Sequence, residues 1–81
     1  MIEDFRIQGF KEGLRVAKEA KQKNIPAIAI TKNFIDDKEM AKKLMKDLKP
    51  FNVRWKKCFS LAIKYSFGYD DGLFQGAYSE Q

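Results

Sequence analysis

Apolar residues recur at helical spacing along most of this chain. Residues 4–23 place small and apolar side chains on one broad face and charged side chains on the other, which predicts a first amphipathic helix. Asn24 and Pro26 end it, because proline disfavours helical geometry in the residue before it. The segment 25–34 favours a short helix, and a strand that pairs across a homodimer is its alternative.

The second half of the chain predicts two further helices. Asp36 stands at an N-cap position and Glu39 follows three residues later, as in a capping box, before an apolar stripe over residues 40–48. Pro50 ends that helix and can open the next one. From Phe51 almost to the end, apolar residues cover so much of the helical circumference that we expect this last helix to contact several neighbours.

These patterns predict an all-α fold, a compact bundle of three to four helices with a long C-terminal central helix. A length of 81 residues allows one hydrophobic core, so we expect residues 1–81 to form a single helical domain. The stretch "GYDDG" at residues 68–72 leaves an alternative open. We favour a continuous helix there, but Asp-Gly is also typical of turns.

Glycine spacing predicts close packing of helices. Gly9 and Gly13 are four residues apart, and so are Gly68, Gly72 and Gly76. Each glycine inside a helix costs about 1 kcal/mol relative to alanine, so a compensating contact is expected. A row of glycines at this spacing lets another backbone approach. We therefore expect the first and last helices to pack at these rows, against each other or against another helix.

The residue types present argue against catalysis. The chain has no histidine and a single cysteine, Cys58, so the most common general base and a zinc site are both excluded. The adjacent pairs Asp36–Asp37 and Asp70–Asp71 point about 100° apart on a helix and do not converge on one atom. We expect a protein that is not an enzyme and has no metal or cofactor. A subunit that contributes residues to a shared active site is the alternative.

The cellular location follows from the same composition. One cysteine in a chain this small favours a reducing compartment, and the acidic start of the chain is unlike a secretion signal. No apolar run approaches the roughly 18 residues of a membrane span. We expect a cytoplasmic protein with no membrane partner, located in a host cell if its origin is viral.

Positive charge is concentrated in the middle of the chain. The whole chain carries a net charge of +5, whereas residues 38–57 hold eight cations and two acids, a net charge of 8 − 2 = +6. Residues 65–81 hold three acids and no cation. The eight cations, which we predict to bind an anionic partner, are Lys38, Lys42, Lys43, Lys46, Lys49, Arg54, Lys56 and Lys57.

The order of charges along the last helix supports this prediction. Arg54, Lys56 and Lys57 come at its start and Asp70 and Asp71 towards its end, the reverse of what the helix dipole favours. An anion bound near residues 54–57 would account for this order. Pairing with the acidic end of a second copy is an alternative explanation, and chance in a Lys-rich sequence is a third.

Two functions follow as hypotheses. The first is a binding protein that engages nucleic acid, DNA or RNA, electrostatically through this Lys-rich helical surface. The second is a small regulator or inhibitor that binds a protein, through an acidic surface of that protein, or that self-associates as a homodimer. Exposed, contiguous aromatic side chains at Phe67, Phe74 or Tyr78 would favour the protein partner.

A helix-turn-helix around Pro50 is a weak match, because no glycine stands in the expected turn.

Overall fold

Four α-helices and one 3₁₀ turn account for most of residues 4–79, the part of the chain that the computed structural model describes. The elements are α1 (Phe5–Gln22), α2 (Ala27–Thr31), α3 (Asp37–Asp47), a 3₁₀ turn (Lys49–Phe51) and α4 (Trp55–Tyr78). No strand occurs within these residues. The predicted all-α bundle with a long C-terminal helix is therefore confirmed, and the segment 25–34 contributes a short helix rather than a strand.

Side chains and backbone geometry set the ends of these helices. The Asp4 carboxylate accepts a hydrogen bond of 2.9 Å from the Arg6 backbone N–H at the start of α1. Asp36 is the N-cap of α3, as predicted, and accepts from the N–H groups of Lys38 and Glu39 at 2.8 and 3.1 Å. Asn24, with a φ of 64°, turns the chain after α1. Capping carboxylates of this kind satisfy donors that a helix start leaves unpaired.

α1 and the C-terminal half of α4 lie side by side and run in the same direction. Gly9 of α1 faces the backbone of Tyr65, and Gly13, one turn later, faces the backbone of Tyr69. Gly76 near the end of α4 faces Ala17 in the second half of α1. The contacts thus advance together along both helices, which is the signature of parallel packing.

Glycine is required where the two backbones meet. From α4, Gly68 faces the carbonyl oxygen of Arg6 and Gly72 faces that of Phe10. A Cβ at either position, or at Gly9 or Gly13, would lie less than 3.0 Å from backbone atoms of the other helix. Each of these glycines instead points a Cα–H bond at a carbonyl oxygen, a weak hydrogen bond that recurs at close helix interfaces.

α2 packs against both parallel helices, α1 and α4. Its one buried residue, Ile30, packs with Ala17 of α1 and with Leu73 and Ala77 of α4. The second half of α1 lies beside the C-terminal end of α4, so the chain must travel back along the molecule before α4 begins. α2 and α3 occupy this return path.

α3 packs along the N-terminal half of α4. Met40, Ala41 and Leu44 of α3 form a core cluster with Cys58 and Ala62 of α4. The two helices make an antiparallel hairpin, because residues 48–54 join the end of α3 directly to the start of α4. α4 therefore contacts α1, α2 and α3 and is the central helix of the bundle.

The start of the last helix differs from the prediction. α4 begins at Trp55, not at Phe51, and Pro50 lies in the 3₁₀ turn instead of opening α4. Asn52 ends that turn with a φ of 52°, a left-handed conformation that breaks the helical path. Phe51 is consequently 74% exposed instead of joining the apolar face of α4.

The stretch "GYDDG" is helical, so the predicted continuous helix is right and the turn is not. Gly68 and Gly72 are both buried in the middle of α4. Between them, Asp70 accepts a hydrogen bond of 3.1 Å from the backbone N–H of Ile35, just before α3. This bond ties the loop that precedes α3 to the middle of α4.

Substitutions at the glycines distinguish contacts with backbone from contacts with a side chain. Gly72→Ala places a methyl group against the Phe10 carbonyl, so we expect a loss of about 3 kcal/mol or more in unfolding free energy. Gly76→Ala instead meets the Ala17 Cβ, 2.6 Å away, and a loss of about 1–3 kcal/mol is expected. Urea unfolding followed by helical circular dichroism measures both.

Ala17→Gly supplies the matched control for this pair. It removes the atom that the new methyl group of Gly76→Ala would meet, so the double variant should return to within about 1 kcal/mol of the natural protein. The same change cannot rescue Gly72→Ala. Equal rescue of both variants, or no loss in Gly72→Ala, would contradict the parallel backbone contact.

Asp70 predicts a pH dependence of stability. Partial burial raises the pKa of this carboxyl group above its ordinary 3.8, against the lowering effect of the Ile35 hydrogen bond. The folded state therefore holds the proton more tightly than the unfolded state. As pH rises and Asp70 ionises, its contribution to the unfolding free energy decreases. Asp70→Asn keeps the acceptor oxygen without the charge.

We expect the unfolding free energy of Asp70→Asn, minus that of the natural protein, to increase from pH 3 to pH 7 and to be positive at pH 7. Unfolding in urea at several pH values gives this difference, and the contributions of other groups cancel. A difference that becomes more negative as pH rises would show that the ionised carboxylate stabilises the fold.

Candidate nucleic-acid interface at the hairpin tip

The eight predicted cations are all exposed, but they do not form one flat surface. Met40 and Leu44 of α3 face α4, so Lys42 and Lys46 point outward on the far side of α3. Cys58 of α4 faces α3, and Lys56, about 200° away around the helix, points to the opposite side of the hairpin. Lys42 and Lys56 therefore lie on opposite sides of the hairpin.

Five of the eight cations lie near the point where the hairpin turns. The last turn of α3, the 3₁₀ turn and the first turn of α4 together form what we call the hairpin tip, residues 46–57. Its cations are Lys46, Lys49, Arg54, Lys56 and Lys57, and Asp47 is its one acid, so the net charge is 5 − 1 = +4. Positive charge at the tip therefore surrounds the turn on several sides.

The cations of the hairpin tip are not neutralised within the described chain. Across residues 4–79, none of the five forms a side-chain hydrogen bond or an ion pair, whereas Lys42 lies 3.5 Å from Glu39. Lys43 instead acts on Glu12 of α1. The hydrogen bond from Arg15 lowers the pKa of Glu12, and the positive charge of Lys43 lowers it further. The five tip cations are thus the part of the predicted set that is available to an external anion.

The start of α4 adds to the positive potential of the tip. Arg54 is the N-cap residue, no side chain caps the helix there, and the first turn contains no acid. A helix N-terminus carries a partial positive charge, so cations at this end repel it by about 0.3–1 kcal/mol each. The folded chain therefore keeps the unfavourable order of charges along α4, without a compensating acid in the first turn.

Aromatic side chains are exposed at the same place. Phe51 is 74% exposed, Trp55 42% and Phe59 36%, and the ring centroids of Trp55 and Phe59 are 6.1 Å apart. The helical spacing of apolar residues from Phe51 onward predicts all three on the apolar face of the last helix. Phe51 and Trp55 precede Cys58, the first residue of α4 in the core formed with α3, and Phe59 lies about 100° around α4 from Cys58. The alternation of aromatic and basic residues in "KPFNVRWKK" is the signal that could have found them.

A second group of exposed aromatics lies on the C-terminal half of α4. Phe67, Phe74 and Tyr78, which we call the aromatic face, are 65%, 52% and 52% exposed. The rings of Phe74 and Tyr78 are in contact, with centroids 4.8 Å apart, and Phe67 lies two turns before Phe74 on the same side of the helix. The exposure that would favour a protein partner is therefore present.

A shallow cleft of about 280 Å³ between α1, α3 and α4 is lined by Tyr65 and Tyr69, and burial raises the pKa of both phenols. Over residues 4–79, no group of three acidic or cysteine side chains is arranged to hold a metal ion. In the same part of the chain, every helix is too short or too polar to cross a bilayer.

The connection between α3 and α4 does not match a helix-turn-helix. That motif joins its helices by a turn of about 3–4 residues at a steep angle. Here residues 48–54 separate two helices that pack antiparallel along each other. Within residues 4–79, the arrangement of α3 and α4 is therefore not that of a helix-turn-helix.

Comparison of this chain with protein-family models, with curated proteins and with solved structures finds no match.

Proposed function

We propose that this chain is a non-enzymatic binding protein that engages nucleic acid through the hairpin tip. The observation that supports the proposal is the set of five exposed cations at one end of the molecule, none of them paired within residues 4–79. Three of them, Arg54, Lys56 and Lys57, stand at the positive end of α4, where a bound anion would relieve their repulsion. Phosphates along a nucleic-acid strand supply such anions in series.

The composition of the tip indicates what kind of contact it makes. Four of the five tip cations are lysines, which bind phosphate as point charges and carry no base preference. Arg54 is the one residue at the tip with the planar fork that pairs with guanine. We therefore expect binding that depends strongly on salt and little on base sequence.

Charge reversal at the start of α4 separates binding from stability. Lys56→Glu/Lys57→Glu removes two phosphate contacts, so the slope of log affinity against log salt should become shallower by about 2. The same change places acids at a helix N-terminus and should raise stability by about 0.3–1 kcal/mol per site. Fluorescence anisotropy with labelled oligonucleotides measures the binding, and urea unfolding measures the stability.

The matched control reverses two exposed lysines of α1. Lys11→Glu/Lys18→Glu changes the net charge equally, from +5 to +1, but leaves the hairpin tip intact. It should keep most of the salt slope. An equal loss in both variants would assign the binding to net charge alone. Absence of salt-sensitive binding by the natural protein at micromolar concentration would overturn the proposed function.

A protein partner is the second candidate function, favoured by the aromatic face. Burial of one Phe side chain contributes about 1.5–3 kcal/mol, so three exposed aromatics on one helix side forgo a large stabilisation unless another surface covers them. This face lies on the C-terminal half of α4, away from the hairpin tip. The two functions therefore use different parts of the molecule and are compatible with each other.

Truncation of the aromatic face tests the second function. After nuclease treatment of a cell extract, a protein that co-purifies with the natural chain should be lost with Phe67→Ala/Phe74→Ala and kept with Phe51→Ala. Sedimentation at increasing concentration shows in the same way whether the partner is a second copy. Retention of the partner, or of the dimer, by Phe67→Ala/Phe74→Ala would remove the aromatic face from its interface.

A further inference from the structure

We infer that the nucleic acid at the hairpin tip is single-stranded, with unpaired bases that stack on Phe51 and Trp55 between the tip cations. This inference rests on the proposed function and names its ligand class. It starts from a feature that phosphate binding alone does not require, the exposure of aromatic rings among the lysines.

The composition of the turn is the first part of the argument. Residues 49–57 contain four cations, two exposed aromatics and no acid. A surface that binds only phosphates gains nothing from Phe51, whose ring is 74% exposed to water. A surface that binds a single strand uses both kinds of side chain, because cations follow the backbone and aromatic rings stack on bases.

The shape of the turn explains how the rings are presented. Phe51 ends the 3₁₀ turn, and the left-handed backbone of Asn52 directs the chain away before α4 begins. Trp55 stands at the first position of α4, with its ring tilted by 48° to that of Phe59. The aromatic side chains therefore project from the end of the hairpin and do not line a closed groove.

The distribution of charge favours a flexible ligand over a duplex. Lys46 lies on the outer side of α3 and Lys56 on the opposite side of the hairpin, with Lys49 and Arg54 in the connection between them. A duplex is stiff and keeps the faces of its bases stacked inside, so a side chain reaches them only by unstacking and kinking the duplex. A single strand can bend around the tip and expose base faces to Phe51 and Trp55.

The chain carries its own probe for this contact. Trp55 is the only tryptophan, so its fluorescence reports on the tip alone. The natural protein is titrated with oligothymidylate and with oligouridylate of about 12 nucleotides, and with a duplex of equal length. We expect both single strands to quench Trp55 and to bind more tightly than the duplex. The thymidine and uridine arms show whether DNA or RNA is the better source of the strand.

Phe51→Ala is the decisive variant, and Phe67→Ala is its matched control. The two rings are similarly exposed, at 74% and 65%, but only Phe51 lies among the tip cations. Stacking on one base predicts that Phe51→Ala weakens single-strand binding by about 5- to 100-fold and leaves duplex binding within about twofold. Phe67→Ala should change neither, and helical circular dichroism confirms that both variants fold.

The outcomes separate this inference from the function on which it rests. Salt-sensitive binding of equal strength to strand and duplex, without quenching of Trp55 and without an effect of Phe51→Ala, would overturn the inference and leave the proposed function standing. No salt-sensitive binding to either ligand would overturn both.

Discussion

The backbones of α1 and α4 run parallel and touch without intervening side chains. This contact constrains the residues at the interface and the chain segment that joins the two helices. Carbonyl oxygens of α1 and α4 face glycines of the opposite helix, so four positions along the chain accept no Cβ. Because the helices are parallel, the chain between them must travel back along the molecule. α2 and α3 follow from this requirement, and the hairpin of α3 and α4 follows from the need to cover the half of α4 that α1 does not reach.

The same contact determines what remains exposed. α1 occupies the side of α4 that carries Gly68, Gly72 and Gly76, while α2 and α3 occupy the adjoining side. The opposite side of α4 has no neighbour in the described chain, and the aromatic face lies there. At the other end of α4, α3 is too short to cover the turn, so the hairpin tip projects along the long axis of a molecule that measures 42 × 23 × 16 Å. Both proposed binding surfaces are consequences of this arrangement.

Much of the fold could be predicted because its signals are local. Asp36 as an N-cap needs only the residues around it, and the interval of four between glycines needs only helical geometry. The parallel direction of α1 and α4 could not be predicted, since a row of glycines fits a parallel and an antiparallel partner equally well. Apolar spacing starts α4 at Phe51, one turn too early, because it carries no signal for the left-handed conformation of Asn52.

The candidate site was predictable in composition but not in arrangement. The eight cations are visible in the sequence, and helical spacing alone predicts an arc of lysines on α3. Which of them meet depends on how α3 packs on α4, and that packing turns Lys42 and Lys56 to opposite sides. The exposure of Phe51 and Trp55 depends in turn on where α3 ends, a boundary that periodicity locates only to within a few residues.

Amide chemical shifts, measured by nuclear magnetic resonance during titration with a single-stranded oligonucleotide, test the central claim most directly. Our account predicts changes at residues 46–59, with the amides of Gly68, Gly72 and Gly76 and those of the aromatic face unchanged. Changes centred on Phe67, Phe74 and Tyr78, or spread evenly over all exposed lysines, would contradict it.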